Sequence, residues 1–151
     1  MVNALPALAQ TSPSLVMEPS CNISFYGTFG SKAADAKVGR AVKVAPEQML
    51  DQDRYAYERS GKIALSIGTS FGVLRQINNI KDDTSVQLVI SHPEMINPNG
   101  QASTKTIAQS KIANLGDLYR FDLPYAMVAG NWTFDYQYRG KSLCKQVFEL
   151  R

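Results

Sequence analysis

From Cys21 onward the chain reads as a succession of two-residue alternations. Cys21, Ile23 and Phe25 share one side of a run and Asn22 and Ser24 the other, which is the period of a half-buried strand. Gly27 and Gly30 follow, and they predict that this strand ends in a bend over Tyr26–Gly30. Ile63, Leu65 and Ile67 alternate with Ala64 and Ser66 up to Gly68, predicting a second strand. Phe71–Ile77 and Val86–Ser91 are two further apolar runs. The cluster Asn78-Asn79-Ile80-Lys81-Asp82-Asp83 parts them and has the chemistry of a hairpin-like connection. His92-Pro93 should close the second run, because proline has no N–H to give to a ladder. Asn97-Pro98-Asn99-Gly100 is a strong turn signal, and Lys105–Ala113 and Leu118–Leu123 are weaker strands.

The last forty residues are the most legible. Trp132, Phe134, Tyr136 and Tyr138 fall on one face, and Asn131, Thr133, Asp135, Gln137 and Arg139 fall on the other. Arg139-Gly140-Lys141 turns the chain. Leu143–Leu150 then returns with Cys144, Phe148 and Leu150 on one face, where Gln146 is the odd polar member. The segment Ser31–Arg40 is small and polar. Pro46 followed by Glu47, Gln48, Met49 and Leu50 predicts one short helix near 46–52. Short strands at about 8–12-residue spacing with almost no helix predict an antiparallel β-sandwich of roughly 7–9 strands.

Composition narrows the class without naming a function. Hydrophobic residues make up 44% of the 151 and charged residues 19%, enough to build a packed core and too apolar for wholesale disorder. Sixteen Lys and Arg against thirteen Asp and Glu leave +3, too small an excess to predict a nucleic-acid partner. No window approaches the ~20 apolar residues of a membrane helix.

Ala4-Leu5-Pro6-Ala7-Leu8-Ala9-Gln10 reads as the tail of a secretory leader. Ala7 and Ala9 stand in the small-x-small pattern, with cleavage before Gln10. The expected layout is a leader remnant over 1–9, a lead-in over 10–20 and a sandwich over 21–151, in a periplasmic or secreted protein. Cys21 and Cys144 admit two readings, a disulfide or two separate buried thiols. First and last strands running side by side in parallel would bring them to one end. Two cysteines and one histidine lack metal-ligand spacing, so no metal or other cofactor is expected.

Three segments together resemble a known family: Gly68-Thr69-Ser70-Phe71-Gly72, His92-Pro93, and Val128-Ala129-Gly130-Asn131-Trp132-Thr133-Phe134. The chain is similar to a bacterial family known only as a domain of unknown function. The family's closing pattern is a Gly-x-Trp-Thr-Phe strand, a Tyr-x-Gly turn and a last strand ending in Phe. It is matched by Gly130–Phe134, Tyr138-Arg139-Gly140 and Phe148. The resemblance runs from about Ile23 to the C-terminus and implies an extracytoplasmic, immunoglobulin-like sandwich. Ser31–Arg54 is longer than that pattern implies. The family carries no assigned catalytic or binding residue.

Candidate chemistry is sparse. Gly68-Thr69-Ser70-Phe71-Gly72 matches the G-x-S-x-G of a nucleophile elbow, but a strand-like Val73–Ile77 follows it where a helix is required. His92 is the only histidine, and Asp82 and Asp83 sit in a turn ten residues before it. The carboxylates Asp82, Asp83, Glu94, Asp117, Asp122 and Asp135 form no calcium-loop spacing. Asn22-Ile23-Ser24 and Asn131-Trp132-Thr133 meet the glycosylation pattern by chance. Arg54-Tyr55-Ala56-Tyr57-Glu58-Arg59 and Tyr136-Gln137-Tyr138-Arg139-Gly140-Lys141 interleave aromatics with cations, as in a stacking platform. Tyr136 continues the core stripe, and Tyr138 lies nearest the turn.

The surface candidates are therefore Arg54, Tyr55, Tyr57, Arg59, Tyr138, Arg139 and Lys141, with the Asn78–Asp83 turn. The expected function is a noncatalytic binding or accessory module of the cell envelope whose partner is another protein or a polymer. The alternatives are a small hydrolase or glycan-active enzyme using Ser70 and His92 or turn carboxylates, and a purely structural module of an envelope assembly.

Overall fold

The computed structural model describes residues 17–31 and 54–151. The leader-like 1–9 and the helix expected near 46–52 lie outside the described residues. Among the described residues are nine strands: β1 (Ser20–Ser31), β2 (Arg54–Arg59), β3 (Lys62–Ile63), β4 (Ser70–Asn78), β5 (Ser85–Ile96), β6 (Ala102–Lys111), β7 (Gly116–Arg120), β8 (Gly130–Tyr138) and β9 (Lys141–Leu150). They form a four-stranded sheet ordered β2-β1-β4-β7 and a five-stranded sheet ordered β3-β9-β8-β5-β6. The only helical element described is a single 3-10 turn at Pro124–Ala126.

Period-2 parity decides what lies between the sheets. Phe71 and Val73 of β4, Leu88 and Ile90 of β5, Trp132, Phe134 and Tyr136 of β8, and Phe148 and Leu150 of β9 are all buried. The Phe71 ring lies 5.1–6.0 Å from the rings of Tyr119, Phe121, Trp132, Phe134 and Phe148, in edge-on and tilted geometry. Such ring pairs each contribute about 0.5–1.5 kcal/mol beyond their buried area. The aromatic stripe read from Trp132 to Tyr136 is thus the middle of the core.

Several local expectations are corrected. The first strand does not bend away over Tyr26–Gly30. It continues to Ser31, with Gly27 paired to Arg59 on one side and Gly72 on the other. A Cβ at Gly27 would strike the Glu58 carbonyl, and its φ is +150°, so the glycine marks close backbone approach rather than a strand end.

Proline does not end β5 either. Pairing with β8 stops at Ser91, and the ladder to β6 breaks between Ser91 and Met95, so no partner needs the N–H that Pro93 lacks. The expected strand over Ile63–Ile67 shrinks to Lys62–Ile63, which pairs in parallel with Glu149–Leu150. Ile67 instead enters a turn closed by Thr69 N–H on the Ser66 carbonyl (3.1 Å) and is 56% exposed. The Asn78–Asp83 cluster is not a hairpin, because β4 and β5 belong to different sheets and the segment crosses between them.

Cys21 and Cys144 are bonded, with Cα atoms 5.5 Å apart. Their strands are not sheet neighbours as expected. β1 lies in one sheet and β9 in the other, so the bridge ties the two sheets face to face. It spans 123 positions of sequence, and a loop of that size is worth about 4–5 kcal/mol in the chain-entropy account.

Candidate functional site

The basic-aromatic candidates separate into two places. Arg139 and Gly140 both have positive φ (51° and 81°), which makes the β8–β9 connection a two-residue turn of the mirror-image type that suits strand twist. At this tip the Tyr138 hydroxyl donates to Asp83 Oδ2 (2.9 Å). The Arg139 guanidinium lies 3.4 Å from the same oxygen and 4.9 Å from the centre of the Tyr138 ring. The bond to Asp83 is the main reason the Tyr138 hydroxyl pKa is raised. Lys141 reaches Glu18 at 3.6 Å, both well exposed. Tyr138 is half-buried, so the tip is a braced ridge, with grooves of about 540 and 450 Å³ touching its flanks.

The second cluster, on β2, lies at the other end of β1. β2 pairs with Gly27–Ser31, whereas the tip lies beside Glu18, ahead of the Ser20 end. Arg59 stacks over the Phe25 and Tyr26 rings (5.1 and 5.3 Å) and donates to the Ser24 carbonyl. Tyr57 is 71% exposed. Arg54 and Tyr55 pair with Ser31 and Gly30 through the backbone, and their side chains lie outside the described set. The seven candidates therefore do not converge on one surface.

The pair behind the hydrolase reading does not assemble. Ser70 is buried as the first residue of β4, and strand rather than helix follows it. His92 is buried with its ring 4.9 Å from Trp132. Its Nδ1–H donates to the Pro93 carbonyl (2.9 Å), and Nε2 faces the Thr106 hydroxyl (3.4 Å). Burial lowers the His92 pKa, with the Pro93 carbonyl opposing that shift. Both ring nitrogens are thus committed away from Ser70. Among the described residues no three of His, Cys, Asp and Glu gather as a metal site, and no helix is long and apolar enough to cross a membrane.

Two features escaped the pattern reading. One is a buried polar cluster at the β6–β7 connection. Arg75, on the inward side of β4, donates to Ser110 Oγ (2.5 Å) and to the carbonyls of Asn114 (2.5 Å) and Lys111 (2.8 Å). Ser110 and Tyr136 hydroxyls both donate to Asp117 Oδ2 at 2.7 Å, and Arg75 stands 3.6 Å from that oxygen. Burial raises the Asp117 pKa, while the Ser110 and Tyr136 bonds and the Arg75 charge hold it down. The Tyr136 hydroxyl is driven well above its ordinary value by burial and by the Asp117 charge. Parity carried the signal: Phe71, Val73, Arg75 and Ile77 alternate onto the core face, as do Asp117, Tyr119 and Phe121.

The other feature is the open side of the sandwich. β6 and β7 are the terminal strands of their sheets, follow one another in the chain, and are bridged near their connection by Ser110 and Asp117. Away from that bridge a cleft of about 760 Å³ opens between Met95 and Thr106 on one side and Tyr119, Leu123, Tyr125 and Ala126 on the other. The Pro124–Ala126 turn sets the outer wall. The Tyr119 ring rests 5.0 Å from Trp132 and forms the deep end. Burial pushes its hydroxyl pKa up to about 12, with Tyr125 and Asp122 adding to the effect. Among the described residues no charged side chain lines the cleft. Its signal in the sequence was weak, because the two walls are distant in the chain.

Two sheets packed over an aromatic core, open along one side, define an immunoglobulin-like β-sandwich. A crystal structure of an immunoglobulin-like protein from Pseudomonas aeruginosa matches this fold with a TM-score of 0.67. The match covers 91% of this chain and 99% of that one, at 21% identity. Residues 18–150 match the family described as Domain of unknown function (DUF3859), and the chain belongs to that family. No curated protein matches the chain.

Proposed function

We propose that the protein is a noncatalytic binding module that works outside the cytoplasm. The observation that carries this reading is the open side: a ten-residue terminal strand, β6, running beside a cleft that has tyrosines and apolar groups but no acid–base pair. The compartment is supported by the Cys21–Cys144 bridge, since such bonds persist in oxidising surroundings.

Expression from the native gene, with thiols blocked before lysis, tests the compartment. A periplasmic or secreted chain starting at Gln10 and lacking two hydrogens is expected; a cytoplasmic chain carrying two alkyl groups overturns it. A photo-crosslinking residue at Ser103, at Arg139 or at the control position Gln76 tests binding in the same cells. Discrete adducts from Ser103 or Arg139 and none from Gln76 are expected. Absence of adducts from both removes the binding reading.

A further inference from the structure

We infer that the open side takes an extended acidic peptide segment, added as a further strand along β6 with a large apolar side chain seated in the cleft. This rests on the binding-module reading and names the class of partner. β6 is the last strand of its sheet, so one edge of its backbone has no strand partner among the described residues. Its ten residues give a long ladder for main-chain hydrogen bonds, and most of its side chains are exposed. From Gln101 to Ala113 the only charged residues are Lys105 and Lys111, both exposed and neither ion-paired with a described residue. Six positions apart, they stand on one side of the strand and complement carboxylates at the same spacing.

The same lysines select against a second copy of the chain. An antiparallel β6–β6 pairing centred on Ala108 sets Lys105 directly opposite Lys111, like charge against like. A sugar fits the cleft less well than an apolar side chain. Asn97 is consumed by its own turn: it accepts from the backbone N–H groups of Asn99 and Gln101 (both 2.9 Å) and donates to Gln101 Oε1 (3.0 Å). Apart from the Ser103 and Thr106 hydroxyls on the β6 wall, what remains is apolar and phenolic: Met95, Leu123, Ala126, Tyr119 and Tyr125. Thr106 lines the cleft and faces His92, on the side of the strand opposite Lys105, so the residue next to the carboxylate facing Lys105, set opposite Thr106, turns its side chain toward the cleft.

The test uses the oxidised protein and a labelled synthetic nonapeptide with Asp at its first and seventh positions, Trp at its sixth, opposite Thr106 when the two Asp face Lys111 and Lys105, and alternating Thr and Val elsewhere. Fluorescence anisotropy should show it bound at least tenfold more tightly than the same peptide with Lys replacing Asp. Amide exchange should slow in β6 when it binds. Lys105→Glu with Lys111→Glu should invert the preference between the two peptides, and Leu123→Ala should weaken both. No binding, binding without slower β6 exchange, or a preference unmoved by the charge reversal overturns the inference. So does β6 protection that rises with protein concentration alone, which would identify a second copy as the occupant. Crosslinks at Ser103 or Arg139 in cells would survive each of these results, which separates failure of this assignment from failure of the module reading.

Discussion

Tyr136, Arg75 and Asp117 inside the sandwich and Tyr138, Arg139 and Asp83 at its hairpin tip make the same contacts in two solvents. In each, a tyrosine hydroxyl donates to an aspartate oxygen, at 2.7 Å inside and 2.9 Å outside. In each, a guanidinium lies over that tyrosine ring, at 5.3 and 4.9 Å. The two arginines stand 3.6 and 3.4 Å from their aspartates. Exposure is what differs: the Arg75 and Asp117 side chains are 0% and 1% exposed, those of Arg139 and Asp83 66% and 44%. Outside, water competes for every bond and the trio fixes geometry more than stability. Inside, each group has exchanged its water for its neighbours, and removing one strands the others.

The largest test of this contrast is Arg75→Ala. It takes the donor away from Ser110 and from the Lys111 and Asn114 carbonyls, and chemical denaturation should show a loss of about 3–5 kcal/mol. A loss no larger than that of a surface substitution would break the comparison. Tyr136→Phe removes one hydroxyl from the buried carboxylate and should cost about 1.5–3 kcal/mol by the same assay.

A subtler test is the pH dependence of Asp117. Its folded pKa is raised above the ordinary 3.8, so on raising pH the unfolded chain gives up its proton first. The contribution of this group to stability is complete below 3.8 and falls as pH climbs through the folded pKa. Wild type minus Asp117→Asn, measured by denaturant titration across that window, should decline with rising pH. A flat difference would mean that hydrogen bonds and Arg75 cancel the cost of burial. The smallest effect belongs to Arg139→Ala, expected to change stability by less than about 1 kcal/mol, with a salt dependence that the buried trio lacks.

The two trios also mark how far the residues alone could be read. Tyr138 and Arg139 stand next to each other in the sequence and invite notice, although they spend their bonds on Asp83 and border only shallow grooves. The buried trio is scattered over about sixty positions and went unread, although the alternation that sets Arg75 between Val73 and Ile77 on the core face was there to be seen. What parity cannot express is that a cation on that face will find Ser110 and the Asn114 carbonyl across the sandwich. The same limit explains Gly27 and Pro93. Each was read from its own backbone preference, whereas the neighbouring strand decided the outcome: close approach on both sides of Gly27, no ladder to satisfy at Pro93. Trp132–Tyr136 and the Arg139–Gly140 turn were legible because alternation and turn chemistry are local. The cleft was not, since Met95 and Leu123 become neighbours only after two sheets pack.

The bridge between β1 and β9 has a mechanical consequence. Tension applied to the chain through Pro19 and Arg151 reaches Cys21 on one side and Cys144 on the other, and there passes through a covalent bond. The 122 residues between them, including β4, β5 and β8 with most of the aromatic core, lie outside the path of the force. Stretching can peel only the few residues beyond each cysteine, so the open side of the sandwich keeps its shape under a pull that would unravel the reduced protein.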